Sequence, residues 1–256
     1  MLNNCVHRAR FAREVMKPRR AFSVITLVVV IALIGLLLAL MLPSVRTARP
    51  AALRTQCKNN LQNIVLALHN YQDVYHAFPP AYTVDAADRP LHSWRTLILP
   101  YLDQVALYKK IDLSKPWDHP VNAAARESRV GVYSCPSADL PENYTTYLAV
   151  VGSNTILQAT KARVLSEIPS DRRIRIMVIE VDSQRAVPWM APSDADEQLV
   201  LSLGAKDELP HGEAINAAMA DGTVYSFGTQ LSPAERRMLV SIAEESAHNT
   251  WVSLSH

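Results

Sequence analysis

Five carboxylates crowd one stretch near the C-terminal end: Asp194, Asp196, Glu197, Asp207 and Glu208. Hard oxygen donors of this type are what Ca2+ takes from a protein. A dedicated calcium loop, however, repeats its acids at alternate positions and turns on a glycine, a spacing this stretch lacks. The expectation is therefore an acidic surface loop, and no metal ligands are assigned. His69, His76, His92 and His119 are scattered without ligand spacing. No Gly-x-Ser-x-Gly elbow, His-Glu-x-x-His pair or phosphate-cradling glycine loop occurs, so no catalytic residue, no cofactor and no enzyme activity are expected. Trp94, Trp117, Trp189 and Trp251 could line a ligand cleft, though aromatic side chains of a small domain ordinarily fill its core. Asp221-Gly222 has turn chemistry, which needs those two residues for geometry alone.

The elements that carry these residues begin with an uncharged run from Phe22 to Leu42. As a helix, 21 residues rise about 30 Å, the thickness of a bilayer's hydrocarbon core. No polar stripe is present to face water, and a secretory signal would be shorter and end on small residues. Arg8, Arg10, Arg13, Lys17, Arg19 and Arg20 precede the run, opposed only by Glu14; Arg46, Arg49, Arg54 and Lys58 follow it. The bias favours a single-pass protein with its N-terminus cytoplasmic and the rest exported. The 256 residues carry 26 basic and 24 acidic side chains, a net charge of +2. With the basic leader set aside the exported part is slightly acidic, and the basic stripe of a nucleic-acid binder is missing.

After Pro43 a helical stripe forms from Leu53, Cys57, Leu61, Ile64, Leu68, Tyr71 and Tyr75. Pro50 should kink or restart it, and Phe78-Pro79-Pro80 should stop it. The runs 130–135, 145–151 and 174–181 read as strands. Residues 215–227 read as a hairpin closed by a two-residue Asp221-Gly222 turn of type I′. Ser232-Pro233-Ala234-Glu235 is a capping box that opens a helix to about Ala247. The expected organisation is a leader (1–21), a transmembrane helix (22–42), an amphipathic stalk (43–78) and an α+β head (79–256).

Arg19-Arg20-Ala21-Phe22-Ser23-Val24-Ile25-Thr26-Leu27 resembles the prepilin-type cleavage motif of type IV pilins and type II secretion pseudopilins. A second set of blocks is similar to a large bacterial family of pseudopilin-like proteins of unknown function. These are Gln56-Cys57-Lys58-Asn59-Asn60-Leu61, Leu66 to Tyr71, Phe78-Pro79-Pro80, Ser93-Trp94-Arg95, Leu99-Pro100-Tyr101-Leu102, Tyr133-Ser134-Cys135-Pro136-Ser137 and Asn154-Thr155-Ile156-Leu157. His211 and Asp221-Gly222, with nine residues between His211 and Asp221, match the His-x9-Asp-Gly motif near the end of such proteins.

The resemblance implies a pilin-like long N-terminal helix packed on a C-terminal antiparallel sheet. It implies cleavage between Ala21 and Phe22 by a prepilin peptidase and methylation of the Phe22 amine. Ala21 stands where the family has Gly. Thr26, the assembly position, replaces the Glu that pairs with a neighbouring subunit's N-terminal amine, which points to a low-copy subunit. Loss of Cys5 with the leader would leave Cys57 and Cys135 as a pair on the oxidising side, expected to form a disulfide closing about 78 residues. The implied role is a structural or accessory subunit of a type II secretion or type IV pilus-like assembly. Its partners are the peptidase, other pilin or pseudopilin subunits and the inner membrane, with the head periplasmic and no nucleic acid bound. The alternative is a membrane-tethered extracytoplasmic receptor for a small solute or glycan.

Overall fold

The structure is a computed structural model that describes residues 24–169, 174–204, 209–212 and 214–243, the side chains of 39–49 excepted. Ala21, Phe22, Asp207 and Glu208 lie outside the described residues. The chain divides into two compact units, Met1–Thr47 and Ala48–His256. Helix α1 has the bounds Val24–Tyr75 and contributes to both.

In the first unit the described side chains run from Val24 to Leu38, and every one is exposed, including that of Thr26. Val24, Ile25, Ile31 and Leu37 are each at least 60% exposed, so this run is apolar and uncovered on all sides. Among the described residues no helix is long and apolar enough to cross a membrane; the run expected to do so is described only in part.

In the second unit α1 supplies one wall of a closed core. Cys57, Leu61, Ile64, Val65 and Leu68 are fully buried, following the helical stripe. Burial fades at its ends, with Leu53 and Tyr71 half-buried and Tyr75 exposed. Pro50 falls inside the bounds of α1. The helix stops where His76 takes a φ of 58°, after which Phe78 turns inward and its N–H donates to the Arg163 carbonyl at 2.8 Å.

Beyond α1 come the short strands β1 (Tyr82–Val84) and β2 (Pro90–Ser93), then single-turn helices α2 (Trp94–Leu97), α3 (Val105–Tyr108) and α4 (Ala123–Arg126). The run 130–135, expected as a strand, is a 3-10 turn over Gly131–Tyr133 leading to Cys135. It is apolar and β-prone, but among the described residues no strand pairs with it to take its backbone hydrogen bonds. Strands β3 (Tyr144–Thr145), β4 (Tyr147–Val151), β5 (Ile176–Glu180), β6 (Val187–Pro188) and β7 (Ala195–Asp196) follow, then α5 (Glu197–Ser202), β8 (Ala214–Met219), β9 (Val224–Gly228) and α6 (Pro233–Val240). The main sheet has the order β7-β4-β5-β8-β9, antiparallel except that β7 runs parallel to β4.

Alternation along the strands sorts the two faces. Tyr147, Ala149, Val178 and Ala218 join the core with Cys57, Leu61 and Ile64 of α1. Leu148, Val150, Ile176 and Ile179 join Val200 of α5 and Leu239 and Val240 of α6. The sheet is thus a middle layer between α1 and the two C-terminal helices. The expected capping box is present, with Ser232 and Glu235 bonding reciprocally. Helix α6 ends at Val240 rather than near Ala247: Ser241 is extended, its carbonyl accepts from Arg175 Nε at 2.8 Å, and Ile242 N–H donates to Asn154.

The hairpin turn also departs from expectation. Gly222 alone has positive φ (90°), Met219 N–H donates to the Thr223 carbonyl, and Gly222 N–H donates to Met219. The loop therefore holds three residues, Ala220 to Gly222, a common hairpin type in which only the last residue needs the left-handed region. Asp221 keeps ordinary φ because its carboxylate accepts from Thr223 N and Oγ1 instead, at 2.9 and 2.6 Å.

One buried cation ties the head together. All five N–H groups of the Arg95 guanidinium find acceptors: Nε donates to Trp189 O, Nη1 to Tyr147 O and Asp194 Oδ1, and Nη2 to Ala191 O and Ser193 O, at 2.7 to 3.2 Å. Trp94 Nε1 and Ala149 N–H share Asp194 Oδ1. The Ser93-Trp94-Arg95 block is therefore a brace between α2, β4 and the 189–194 loop.

Candidate functional site

Four buried side chains from four separate segments meet against the spine. Cys57 comes from the buried stripe of α1 and Cys135 from the loop after the Gly131–Tyr133 turn. That loop is tethered to the helix one turn on, where Asn60 Nδ2 donates to the Ser134 carbonyl at 2.9 Å. Glu180 is the last residue of β5, opposite Tyr147 in register, so alternation points it toward α1. His211 sits in the short turn before β8, where Gly212 has a φ of 70° and Arg54 Nη2 donates to the His211 carbonyl at 2.5 Å.

The four donor atoms all lie within 4.8 Å of one another. The two sulfurs are 2.6 Å apart, Cys135 Sγ is 3.9 Å from His211 Nε2, and His211 Nε2 is 3.3 Å from Glu180 Oε2. Asn216 Nδ2 donates to Glu180 Oε2 at 2.6 Å, and Asn216 is itself oriented by the Ser226 hydroxyl. The other carboxylate oxygen, Glu180 Oε1, is buried without a hydrogen-bond partner among the described residues.

Electrostatics follow from this packing. Burial disfavours the His211 cation, but hydrogen bonds to Cys135 and Glu180 and the Glu180 charge outweigh it and push the imidazole up to about 9. The hydrogen bond with Cys57, together with burial, pushes the Cys135 thiol up. Burial and the nearby Glu180 charge do the same to the Tyr147 phenol. Two thiols, an imidazole and a carboxylate around one point form a mixed donor set of the kind divalent transition metals take.

The expected disulfide is not formed in this structure. Cys57 and Cys135 are free, and their sulfurs stand beyond the ~2.05 Å of a bond. The chain turn at Pro136 does bring Cys135 onto the helix, but the thiols share their surroundings with His211 and Glu180 instead of pairing exclusively.

His211 and Asp221-Gly222 are not brought together. Asp221-Gly222 forms the hairpin turn and meets α1 elsewhere, where Gln62 Nε2 donates to the Gly222 carbonyl at 2.9 Å. Within the acidic stretch Asp194 is braced by Arg95, Asp196 caps α5 through Leu199 N–H, and Glu197 pairs with Arg237. His92 bonds the Lys115 carbonyl and His119 caps a turn, so these two histidines serve local structure. Trp94 and Trp189 are core residues.

Sequence reasoning overlooked Glu180 and Asn216. The available signal was a carboxylate closing an apolar strand on the face opposite Ile179.

A family model described as "Protein of unknown function (DUF1559)" matches residues 46–174, half of the chain. The chain belongs to this family. The DUF1559 match takes in Cys57, Arg95 and Cys135, and ends before Glu180 and His211. No curated protein and no solved structure matches the chain.

Proposed function

We propose that this DUF1559 protein is a structural or accessory pseudopilin-like subunit of a type II secretion or type IV pilus-like assembly, with a pilin-like long helix and a periplasmic α+β head. The observation that carries the reading is the exposed apolar run of α1 from Val24 to Leu38, in a chain whose second unit closes its own cores without it. A surface this apolar is costly in water, at about 25 cal/mol per Å2, and calls for a bilayer or neighbouring helices. The resemblance of Arg19 to Leu27 to a prepilin cleavage motif supports the same reading. In it a prepilin peptidase cuts between Ala21 and Phe22, the Phe22 amine is methylated, and the apolar run anchors the protein once in the inner membrane. Thr26 offers a neighbour's amine a hydroxyl and no charge, which suits a minor or tip position among other pilin or pseudopilin subunits.

A receptor reading is favoured by one feature, a cavity of about 740 Å3 lined by Pro50, Leu53, Arg54, Pro136, His211 and Gly212. The test is mass spectrometry of the native N-terminus in cells with an active peptidase, combined with crosslinking from cysteines placed along α1. A methylated Phe22 terminus and crosslinks to pilin-like subunits are expected. An intact leader with no intersubunit crosslinks would overturn the assembly role.

A further inference from the structure

We propose that Cys57, Cys135, Glu180 and His211 form a closed, four-coordinate zinc site that fastens the spine to the head. The inference stands apart from the assembly role and rests on the geometry of this cluster alone. Zinc prefers four ligands drawn from Cys sulfur, His nitrogen and carboxylate oxygen, at ~2.3 Å for sulfur and ~2.0–2.2 Å for the others. A tetrahedron of those radii sets nitrogen and oxygen about 3.3 Å apart and sulfur and nitrogen about 3.6 Å apart. The His211–Glu180 and Cys135–His211 separations of 3.3 and 3.9 Å already match. Only the two sulfurs, at 2.6 Å, must open to about 3.8 Å. Both cysteines end in a single rotatable Cα–Cβ bond, which supplies that movement without displacing backbone.

Two observations besides the cluster point to an ion. Glu180 Oε1 is a buried acceptor with no partner among the described residues, and Glu180 is only 2% exposed. The ligands also carry an orienting outer layer, with Ser226 holding Asn216 and Asn216 holding Glu180, as carboxylate ligands of metals commonly do. A route in exists, since Cys135 borders one cavity together with Gln56 and Ser134, and His211 borders another beside Arg54. Binding is balanced by proton release: both thiols lose a proton to become thiolates, the His211 imidazolium loses the Nε2 proton to ligate through that atom, and Glu180 enters as carboxylate. With Zn2+ the site carries one net negative charge. All four positions are filled by protein, so it is a structural site and not a catalytic one. Zinc and a disulfide are mutually exclusive uses of the same two sulfurs.

The test uses the full chain, isolated without chelator and with rapid alkylation. The expected result is one zinc per chain by elemental analysis, with Cys57 and Cys135 protected until a chelator removes the metal. Cobalt(II) added to the stripped chain should give a thiolate-to-cobalt charge-transfer band that saturates at one equivalent. His211→Gln should abolish stoichiometric uptake. Asn216→Leu, a positioning variant, should weaken cobalt affinity about 10–100-fold while keeping the charge-transfer band. Because the cobalt titration is made on the unaltered sequence, misfolding of a variant cannot hide the answer. A Cys57–Cys135 disulfide in the isolated chain, or two free thiols that bind no cobalt, would overturn the proposal.

Discussion

Replacing Arg95 with methionine keeps a long side chain against Trp94 and deletes every donor of the buried guanidinium. Four backbone carbonyls, those of Tyr147, Trp189, Ala191 and Ser193, then lose a partner, and the Asp194 carboxylate loses its countercharge. Both members of the pair are nearly inaccessible, with side-chain exposures of 0% and 4%. Breaking a buried ion pair from one side costs about 3–5 kcal/mol, and each orphaned carbonyl adds about 1 kcal/mol or more where water cannot reach it. The total is on the order of 5 kcal/mol or above, comparable with the ~5–15 kcal/mol that keeps a domain folded. Arg95→Lys retains the charge but has three donors for five acceptors, so a loss of about 3 kcal/mol is expected. Arg95→Met combined with Asp194→Leu should recover part of the loss, because no unpaired charge remains. Urea unfolding of the purified chain, followed by fluorescence of buried Trp94 and Trp189, measures all three. A loss under about 1 kcal/mol for Arg95→Met would refute the brace.

Ser232→Ala removes the reciprocal cap of α6 and should cost about 1 kcal/mol in the same unfolding assay. Gly222→Ala should cost about 1–3 kcal/mol through backbone strain alone, since a φ of 90° is unfavourable for alanine while the added methyl would meet His69 at an ordinary 3.8 Å. Burial holds the His92 imidazole below its ordinary value, against hydrogen bonds to the backbone at Lys115 and Asp112 and the Asp112 charge. The unfolded chain therefore binds the proton more readily, and the contribution of His92 is present above about pH 6.5 and lost as pH falls below it. His92→Gln should flatten the stability profile just below about pH 6.5, and an unchanged slope in urea midpoints would count against it.

What could be read from the chain depended on how local each feature is. The spine stripe, the capping box and the position of the hairpin are set by residues within one or two turns of each other, and they were legible. The turn type was not, because Asp-Gly serves both a two-residue loop and a three-residue loop, and Asp221 settles the choice through its bond to Thr223. The run at 130–135 has strand composition but no neighbouring strand, and its backbone closes a 3-10 turn instead. The approach of Cys135 to Cys57 was legible from the turn at Pro136, whereas the presence of Glu180 and His211 beside them was not. Those two come from a strand and a turn whose faces are fixed only once the sheet is assembled.

The spacing between His211 and Asp221-Gly222 makes sense as two grips on α1, since the two ends do not share one site. Strand β8 lies between them, and each end of that segment holds the helix at a different level. At one end Arg54 reaches the His211 carbonyl, while the His211 ring faces Cys135, which is pressed against Cys57. At the other end Gln62 reaches the Gly222 carbonyl, and His69 packs beside the same glycine. Arg54 and Gln62 are eight residues apart on the helix, a rise of about 12 Å over little more than two turns, so they project from nearly the same side. Between those two levels Asn60 holds the Ser134 carbonyl. A strand that is one residue longer or shorter would turn its side chains to the opposite face and move the His211 loop relative to the hairpin. The fixed interval therefore keeps two clamps in register on one helix. Cys57 and Asn60 of the Gln56-Cys57-Lys58-Asn59-Asn60 block, set against Cys135 and the Ser134 carbonyl, supply the opposing contacts.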